Sequence, residues 1–452
     1  MGKFILADEF PNLESVSMNI ATTPPAQPLK LAYISPQLPS IAVAFEQNEV
    51  LGLMACGANV TILSCRPVST QERDDCQGFC RPLLTQVRYT SPGATVRGLL
   101  WCLMHRPGVT IKLWGRTIRA AAAHRVRVRR HLGAFLIAVA FAPLGKRAGW
   151  DGIHANWVQG TPTSAWYLSE LLGLPFTMMA HAFDIYSRKP GDRELDAFFR
   201  RKAAAASAIF VAHDYGRRRL VEMYPELAPR LQVHRVAVRI SEFSPLPAPP
   251  KTPYPVVVAL GRLDRKKGFD QLIRAMAILR SKSDVRCEIY GAGREHGELT
   301  ALIRSLNLEE RVSLRGTYHQ SQFADIFGPA SALIAPSVES PDGDMDGIPT
   351  VIFEAMAFAR PIIASALSGI PEAVVHGETG LLVEPGRPDQ LADAIQDLLS
   401  DPRRAAAMGK AGRAYVEEHH DHLKQSRQLE KLLCAAFRAE SVRADGVATR
   451  RR

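Results

Sequence analysis

Two groups of charged residues, far apart in the sequence, have the chemistry needed to bind a phosphorylated ligand. The first group follows the apolar run Val256–Leu260, where Gly261 precedes the cations Arg262 and Lys267. Arginine binds phosphate oxygens through a planar fork, and lysine acts as a compact point charge. A glycine lets the backbone approach a ligand closely. These residues, at the end of a predicted strand, therefore indicate a diphosphate-binding site.

The second group surrounds a loop that contains glycine and proline and leads into a predicted helix over residues 350–359. Proline near a helix start loses no needed donor, so we expect the helix to begin at Pro349 or Thr350. The free backbone N–H groups of such a terminus favour a phosphate. Asp346 and Glu354 lie on either side of this loop. Their carboxylates are acceptors that suit a hydroxyl-rich ligand such as a sugar or a ribose.

Residues 346–356 resemble the C-terminal signature of retaining glycosyltransferases with the GT-B fold. This is the family-4 type, whose members include the bacterial enzymes of exopolysaccharide and colanic acid biosynthesis. The signature reads Glu, seven residues, Glu, and its end, Glu-Ala-Met, is present from Glu354 onward. The first acid is Asp346 in this chain, which is one methylene shorter than the glutamate of the family.

The resemblance implies a role for each of these residues. The Gly-Arg-Leu sequence that starts at Gly261, together with Lys267, is similar to the diphosphate clamp of the family. Glu354 is expected to contact the ribose, and Asp346 the transferred sugar. The residues implied in binding the nucleotide sugar are Gly261, Arg262, Lys267, Gly291, Tyr318, Ile348, Pro349, Thr350 and Glu354. Those implied in catalysis are His181, Arg262, Lys267, Asp346 and Glu354.

A histidine follows a second apolar run, over residues 174–180, and Asp184 lies three positions after His181. Ligands of open parallel sheets bind at the carboxyl ends of strands, which favours both side chains facing a cleft. A lone histidine is more often structural, but this pattern is similar to the strand-end histidine of the family. The resemblance implies that His181 contacts the donor sugar. His154 and Asp184 are further candidates for the acceptor side.

Length and composition indicate a globular protein of more than one domain. The chain has 452 residues, of which 46% are hydrophobic and 22% are charged, and this length favours two or three domains. The formal charge of +11 indicates anionic partners. The seven cysteines are odd in number and include no Cys-x-x-Cys pair, so we expect free thiols in a reducing compartment.

Strand and helix patterns place the elements that must position these residues. A strand over residues 29–35, a helix over 46–56 and a strand over 59–64 form a unit typical of a parallel sheet. With the resemblance, this predicts an α/β protein of the GT-B type, with two Rossmann-like, doubly wound domains facing each other across a cleft. The expected divisions are a loose leader (1–28), an acceptor-binding domain (29–243), a proline-dense linker (244–255), a nucleotide-sugar-binding domain (256–410), a helix returning to the first domain (411–440) and a disordered basic tail (441–452).

The segment over residues 97–147 is helical in character and strongly basic, and tryptophan and aliphatic residues are interleaved with its arginines. An amphipathic basic helix of this kind can lie on an anionic membrane surface. The alternative is a solvated helix face over an ordinary core. The longest apolar stretch, residues 133–143, is shorter than the roughly 20 residues of a spanning helix, and the acidic N-terminus is unlike a secretory signal. No nucleic-acid motif accompanies the positive charge.

Three other motifs have weaker functional interpretations. The glycine loop from Gly291 has His296 where a dinucleotide fingerprint needs its third glycine, which disfavours a nicotinamide enzyme. Asp342 and Asp344 have the spacing of a metal-binding Asp-x-Asp, but the nearby cations already supply charge neutralisation, so no metal is expected. The histidine-rich residues 419–422 are expected to form a solvated helix face.

We therefore expect a transferase that moves a sugar from a nucleotide-sugar substrate to a saccharide acceptor in polysaccharide biosynthesis. The resemblance implies retention of configuration, and no cofactor is expected because the nucleotide sugar is a substrate. The basic amphipathic segment suits a lipid-linked acceptor at the cytoplasmic face of the cell membrane. A nucleotide-sugar epimerase of the same fold is an alternative, and a nicotinamide-dependent oxidoreductase is a weaker one.

Overall fold

The computed structural model describes residues 27–38, 44–68, 81–123, 128–157, 160–186, 193–250 and 252–449. These residues form two parallel β-sheets, and buried apolar clusters lie on both faces of each sheet. In the first sheet, for example, Ala32 and Ile34 face one cluster while Leu31 and Tyr33 face the other. This alternation is typical of strands buried on both sides. The prediction of two doubly wound α/β domains is confirmed.

The first sheet has seven strands in the order β3-β2-β1-β4-β5-β6-β7, all parallel. Its strands are β1 (Lys30–Ser35), β2 (Asn59–Ser64), β3 (Val87–Tyr89), β4 (Gly152–Asn156), β5 (Phe176–Ala180), β6 (Ala208–Val211) and β7 (Leu231–Val233). The order reverses between β1 and β4. In doubly wound sheets the ligand crevice opens at the carboxyl ends of the strands at such a reversal.

The second sheet has six parallel strands in the order β10-β9-β8-β11-β12-β13. Its strands are β8 (Val256–Leu260), β9 (Arg286–Tyr290), β10 (Val312–Gly316), β11 (Ala330–Ala335), β12 (Ile362–Ser365) and β13 (Gly380–Val383). Here the order reverses between β8 and β11, which pair directly. The two predicted charged groups follow these two strands, so the fold brings both groups to one switch point.

The helices of the first half are α1 (Ala44–Ala55), α2 (Arg81–Gln86), α3 (Pro92–His105), α4 (Pro107–Ala123), α5 (Val128–Ala148), α6 (Thr161–Leu172), α7 (Ala182–Tyr186), α8 (Arg193–Ala205) and α9 (Asp214–Met223). Those of the second half are α10 (Phe269–Leu279), α11 (His296–Ser305), α12 (Phe323–Phe327), α13 (Thr350–Ala357), α14 (Ile370–Ala373), α15 (Pro388–Ser400), α16 (Pro402–His419) and α17 (His422–Thr449). Short 3₁₀ helices span Pro225–Arg230, Ile240–Glu242, Arg265–Lys267 and Gln320–Gln322. Over the described residues, no helix combines the length and the hydropathy needed to cross a membrane.

The last helix, α17, returns the chain to the first domain, where it packs against α1 and β5. Its residues Leu429, Leu433 and Phe437 are buried in the same cluster as Leu31 and Tyr33 of β1. The helix continues to Thr449, so most of the tail expected to be disordered is helical. The alanines and arginines of this segment are good helix formers, and they extend a helix that is already nucleated by packing.

The expectation of a solvated face over residues 419–422 is wrong. The chain turns between α16 and α17 at this point, and His420 is buried with its ring stacked on Phe353, 3.8 Å between centroids. Its Nδ1 lies 2.7 Å from the carbonyl oxygen of Val236. Burial lowers the pKa of His420 to about 3, so this residue joins the crossover helix to the interdomain segment as a neutral side chain.

Gly268 is a position where the backbone requires glycine. Its φ is +64°, and a Cβ would lie 1.9 Å from the carbonyl oxygen of Pro336. A left-handed conformation costs an L-residue about 1–2 kcal/mol, and the contact with Pro336 adds to that cost. We expect Gly268→Ala to lower the midpoint of thermal unfolding by about 4 °C or more.

The matched control is Gly297→Ala, because Gly297 lies in helix α11 and a methyl group added there would have no neighbouring atom within 4 Å. Alanine stabilises a helix by roughly 0.5–1 kcal/mol relative to glycine, so this variant should not lower the midpoint. Equal midpoints for the two variants in a thermal scan would contradict the assignment of strain to Gly268.

Candidate functional site

A cleft of about 750 Å³ lies between the two domains and is lined by both of them. This volume is within the range of sites for small ligands and cofactors. From the first domain it is lined by the ends of β4 and β5 and the segment after β6, with Trp157, His181 and His213 among the residues. From the second domain it is lined by the predicted residues Arg262, Asp346, Ile348 and Thr350. The cleft therefore contains residues from both predicted groups.

The ion pair between Lys267 and Asp346 joins the two groups, with 2.8 Å between Nζ and Oδ2. Ser337 donates a hydrogen bond to the same carboxylate at 3.1 Å. Lys266 was not predicted, yet its side chain is nearly buried and its Nζ lies 3.0 Å from Asp344 and 3.7 Å from Asp346. Two lysines and two aspartates thus balance each other at the cleft wall.

Arg262 differs from the lysines in being largely free, since 74% of its side chain is exposed and its guanidinium is 3.8 Å from Asp264. Asp264 is held more closely by Arg294, at 2.6 Å, and it caps the amide of Arg265. Partial burial alone would raise the pKa of Asp264, but these hydrogen bonds and the charge of Arg294 lower this pKa below its ordinary value. Arg262 and Arg294 both line the cleft, and Asp264 balances only one of their two positive charges.

The strand ends beside these cations approach each other closely. A Cβ on Gly291 would lie 1.8 Å from the carbonyl oxygen of Gly261, and a Cβ on Gly261 would lie 3.3 Å from Cε of Lys267. Gly261 and Gly291 have φ values of +154° and +151°, which larger residues rarely adopt. Both predicted glycines therefore allow the exits of β8 and β9 to pack together beside Lys267, behind the cleft wall.

Helix α13 begins at Thr350 with Pro349 at its N-cap, as expected, and no side chain caps its first turn. Gly347, Ile348 and Thr350 line the cleft. The helix start therefore directs its unpaired amide groups and the positive end of its dipole toward the same space as Arg262. This arrangement favours a phosphate or another anion.

Glu354 lies one turn further along α13, close to Tyr318, and neither residue lies at the cleft surface. Burial raises the pKa of Glu354 to about 7. Burial, and then the charge of Glu354, raise the pKa of Tyr318. Two of the predicted nucleotide-sugar-binding residues are therefore brought together, but not on the open face of the cleft.

His181 lies at the end of β5 and lines the cleft from the first domain. Its Nε2 is 2.7 Å from Oδ1 of Asn156, and burial lowers its pKa to about 4. The histidine is therefore neutral at pH 7. Its position faces the second-domain residues as expected from the sequence.

The two acceptor-side candidates do not lie on the cleft surface. His154 is fully buried within β4, with Nδ1 2.8 Å from Thr177 and Nε2 3.6 Å from Glu49. Asp184 is also buried, and its carboxylate accepts the backbone N–H of His181 at 3.1 Å. Side chains of a buried strand alternate between the two faces of the sheet. The side chain of His154 points into the core on one face, toward Glu49. The structure therefore does not bring either residue to the cleft surface, and their contact with an acceptor stays a prediction.

Asp342 and Asp344 both line the cleft, but Asp344 is occupied by Lys266. Within the part of the chain that the structure describes, no group of three His, Cys, Asp or Glu residues could hold a metal ion. Lys266 is the partner of Asp344, so the negative charge of this carboxylate is already balanced. The donor set does not fit a divalent ion in this arrangement.

Contacts across the cleft hold the two domains against each other. The carboxylate of Glu372, on α14 of the second domain, accepts the backbone N–H groups of Asp214 and Tyr215 at 2.9 and 2.6 Å. These amides belong to the first turn of α9 in the first domain, where a carboxylate is favoured. The hydroxyl groups of Tyr186 and Ser368 add a second bond between the domains at 2.7 Å.

His213 packs between the same two domains. Its Nδ1 accepts the backbone N–H of Gly216 at 3.0 Å, and burial lowers its pKa to about 4. A Cβ on Gly347 or Gly369 would approach this ring to 2.7 or 2.6 Å. The two second-domain glycines therefore make room for a first-domain histidine at the back of the cleft.

Several site residues have no motif that identifies them in the sequence. Lys266 is adjacent to Lys267, and only the fold shows that the 3₁₀ turn directs both toward the aspartates. Trp157 and Phe45 line the cleft from segments with no recognisable signature. The proline and glycine around residue 348 did give a usable signal, because they indicated a helix start.

Residues 244–415 match a family model described as "Glycosyl transferases group 1". Over these residues, the match agrees with the resemblance to glycosyltransferases that the sequence motifs gave. A relative from Mycolicibacterium smegmatis, a GDP-mannose-dependent α-(1-6)-phosphatidylinositol monomannoside mannosyltransferase, is 35% identical over 40% of this chain and 47% of its own length. The amylovoran biosynthesis glycosyltransferase AmsK of Erwinia amylovora is 32% identical over 39% of this chain and 44% of its own length. The chain spans about half the length of these curated relatives.

Among solved structures, Anabaena HepE in complex with UDP-glucose superposes with a TM-score of 0.65 at 17% identity. The superposition covers 90% of this chain and 100% of the HepE chain. This likeness confirms the two-domain GT-B fold.

The partly buried carboxyl group of Glu354 makes stability depend on pH. Its folded pKa of about 7 lies above the ordinary value of 4.5, so folding favours the protonated form. The native state is therefore penalised progressively as the pH rises from about 4.5 to about 7, and the penalty is constant above that. Glutamine stays neutral. We expect Glu354→Gln to raise the thermal midpoint relative to wild type by about 3 °C or more at pH 8 and by much less at pH 5.

The exposed Glu378, also in the second domain, supplies a matched control. Glu378→Gln should leave the difference from wild type the same at both pH values. A Glu354→Gln difference that does not change between pH 5 and pH 8 in thermal scans without nucleotide would contradict the raised pKa of Glu354.

Proposed function

We propose that this chain, whose residues 244–415 belong to the glycosyl transferases group 1 family, transfers a hexose from a nucleotide-sugar donor to a saccharide acceptor. The observation that supports this most directly is that Arg262, the start of α13 and Asp346 line one cleft, with Lys267 paired to Asp346 beside it. Two cations and a helix N-terminus provide positive potential for a diphosphate. Asp346, beside the same cations, provides an acceptor for sugar hydroxyl groups.

The donor is proposed to lie with its diphosphate between Arg262 and the amides of residues 348–350. Glu354 and Tyr318 are proposed to meet the ribose and the base, with the sugar near Asp346. The match to a structure that carries UDP-glucose supports a nucleotide sugar as substrate. A donor phosphate would replace Asp346 as a partner of Lys267, so binding exchanges one ion pair for another.

Cleavage of the sugar–phosphate bond leaves negative charge on the departing diphosphate. Fixed cations and helix-end donors at that position stabilise the transition state more than the bound substrate. Lys267 and Arg262 supply this charge without a metal ion, and Asp344 is already engaged by Lys266. We propose transfer without a metal and with retention of configuration, in which the departing phosphate accepts the proton of the attacking hydroxyl group.

Two other activities of a similar architecture make different predictions. A nucleotide-sugar epimerase would change the donor in the absence of an acceptor, so incubation with UDP-glucose, GDP-mannose or ADP-glucose alone would yield an epimer. A nicotinamide enzyme would change the fluorescence of NADH or NADPH on binding. The transferase predicts neither result.

Removing the positive charge at Lys267 should reduce turnover strongly. We expect Lys267→Ala to lower kcat about 100-fold or more, since loss of one stabilising group at a developing charge has an effect of that size. The measurement is release of nucleoside diphosphate from UDP-glucose, GDP-mannose and ADP-glucose in the presence of a membrane lipid extract as acceptor source.

Lys282→Ala is the control, because Lys282 lies in the same domain and is 45% exposed. Its Nζ lies 3.7 Å from Asp393, and neither residue lines the cleft. It should keep the wild-type rate. If both variants retain full turnover, the diphosphate assignment of Lys267 is wrong.

The acceptor is proposed to be lipid-linked and reached at the cytoplasmic face of an anionic membrane, through helices α3 and α4. Residues 90–150 contain 11 Lys and Arg residues and no Asp or Glu, so they account for the whole formal charge of +11. Outside this segment the chain carries equal numbers of acidic and basic residues. The excess positive charge is therefore concentrated in one segment of the first domain, which contains helices α3, α4 and α5.

The same helices expose apolar side chains at helical spacing. Of the large apolar residues exposed among the described residues, most lie on α3 and α4: Val96, Leu100, Leu103, Met104, Ile111, Trp114 and Ile118. The exposed bases Arg97, Arg106, Lys112 and Arg119 lie on the same two helices or at the junction between them. Apolar residues interleaved with cations favour binding in the interface of an anionic bilayer.

An acid placed on this face should weaken membrane binding. We expect Leu103→Asp to reduce cosedimentation with vesicles of phosphatidylcholine and phosphatidylglycerol about 10-fold, because apolar contact is lost and a like charge faces the lipid. Binding should also fall at high salt and be weak on phosphatidylcholine alone.

Val375→Asp is a matched control, because Val375 is 41% exposed and Leu103 is 42% exposed, but Val375 lies in the second domain. It should bind vesicles like wild type. Equal losses in the two variants, or equal binding to neutral and anionic vesicles, would contradict the membrane assignment.

A further inference from the structure

Three aromatic rings meet on the first-domain side of the cleft. The rings of Trp157 and His181 are 4.7 Å apart, those of Phe45 and His181 are 4.8 Å apart, and those of Phe45 and Trp157 are 6.2 Å apart. All three residues line the cleft, on the side opposite Arg262 and Asp346. We call them the aromatic cluster. It faces the place where the donor sugar would lie.

The backbone at Trp157 holds the indole in this position at a cost. Trp157 follows the last residue of β4 with a φ of +69°, in the left-handed region. A bulky residue seldom adopts this conformation, which costs about 1–2 kcal/mol. Such strain persists only where surrounding contacts determine it, and it is concentrated at ligand sites. The ring is only partly buried, so burial alone does not explain its placement.

The contact that fixes the indole comes from a buried carboxyl group. Nε1 of Trp157 donates to Oε1 of Glu46 at 2.6 Å, and Ser35, at the end of β1, lies 2.6 Å from the other oxygen. Glu46 is fully buried on α1, and burial raises its pKa to about 8. The indole has one donor, and Glu46 uses it. Trp157 therefore offers its apolar ring surface to the cleft and no N–H group.

A second buried contact fixes the neighbouring histidine. The amide nitrogen of Asn156 donates to Tyr33 and Glu49, so its oxygen faces Nε2 of His181 as an acceptor. His181 must then carry its proton on Nε2, which leaves a lone pair on Nδ1. Nδ1 has no hydrogen-bond partner among the described residues. An apolar ring and an acceptor atom therefore lie side by side.

We propose that Trp157 is the stacking surface for a pyranose ring of the acceptor, with Glu46 as the residue that positions the indole. A pyranose has an apolar face of C–H groups and a rim of hydroxyl groups. An aromatic ring packs against the apolar face, and a hydrogen-bond acceptor such as Nδ1 of His181 binds one of the hydroxyl groups. This inference rests on the proposed function, because it assigns the acceptor to the first domain opposite the donor.

The experiment separates transfer from donor hydrolysis. Octyl β-glucoside and octyl α-mannoside, below their micelle concentrations, serve as acceptors with UDP-glucose and GDP-mannose as donors. We expect Trp157→Ala to lower kcat/KM for the octyl glycoside about 10-fold more than it lowers release of free sugar to water, mainly through the acceptor KM. Glu46→Ala should change the same ratio in the same direction. Glu46→Gln should retain more transfer than Glu46→Ala, because its amide oxygen still accepts the indole N–H.

Tryptophan fluorescence provides a second readout that does not need turnover. Octyl glycosides should change the emission of wild type, and the change should be absent in Trp157→Phe. Equal losses of transfer and hydrolysis in Trp157→Ala, or an emission change that survives in Trp157→Phe, would overturn the proposal. So would the absence of any emission change in wild type. Absence of both hydrolysis and transfer in wild type with an intact emission change would instead overturn the proposed function and leave saccharide binding at Trp157 standing.

Discussion

The site depends on one constraint, which is that β8 and β11 are adjacent parallel strands whose exits meet at the reversal of strand order. The exit of β8 carries Lys266 and Lys267, and the loop after β11 carries Asp344 and Asp346. Their ion pairs hold the loop before α13 in place, and the loop in turn sets the direction of the helix N-terminus. These ion pairs also offset the electrostatic repulsion between the two partly buried lysines. An incoming diphosphate would meet a site whose charges are already ordered, which reduces the reorganisation needed during reaction.

The first domain completes the cleft through contacts that do not involve the cations. Glu372 binds the amides at the start of α9, and His213 packs against the glycines at residues 347 and 369. These contacts bring the aromatic cluster opposite the phosphate-binding side. The crossover helix α17 adds buried contacts of Leu429 and Leu433 with the first domain. The two domains are thus held together at the back of the cleft and by the last helix, while the space between Trp157 and Arg262 stays open.

Much of the second domain could be predicted from the sequence, because its strands are continuous apolar runs and its site residues lie at strand exits and at a helix start marked by proline. The first domain was less predictable for physical reasons that particular residues show. His154 has the type and location of a site residue, but strand alternation turns it into the core toward Glu49. The left-handed backbone at Trp157 and its bond to Glu46 depend on tertiary packing between β4 and α1, to which no local pattern points. Amphipathic spacing likewise could not predict that the apolar residues on α3 and α4 are exposed, because the same spacing is typical of a helix that buries its apolar face.

The most direct test of the account is a double-mutant cycle on nucleoside diphosphate binding, with Lys267→Ala, Asp346→Asn and the combined variant titrated calorimetrically against UDP, GDP and ADP. If the two residues belong to one phosphate and sugar pocket, the effect of Lys267→Ala on affinity will differ between the two Asp346 backgrounds by at least about 0.5 kcal/mol. Purely additive effects, or no binding of any of the three diphosphates by wild type, would contradict the claim that both strand exits form a single site.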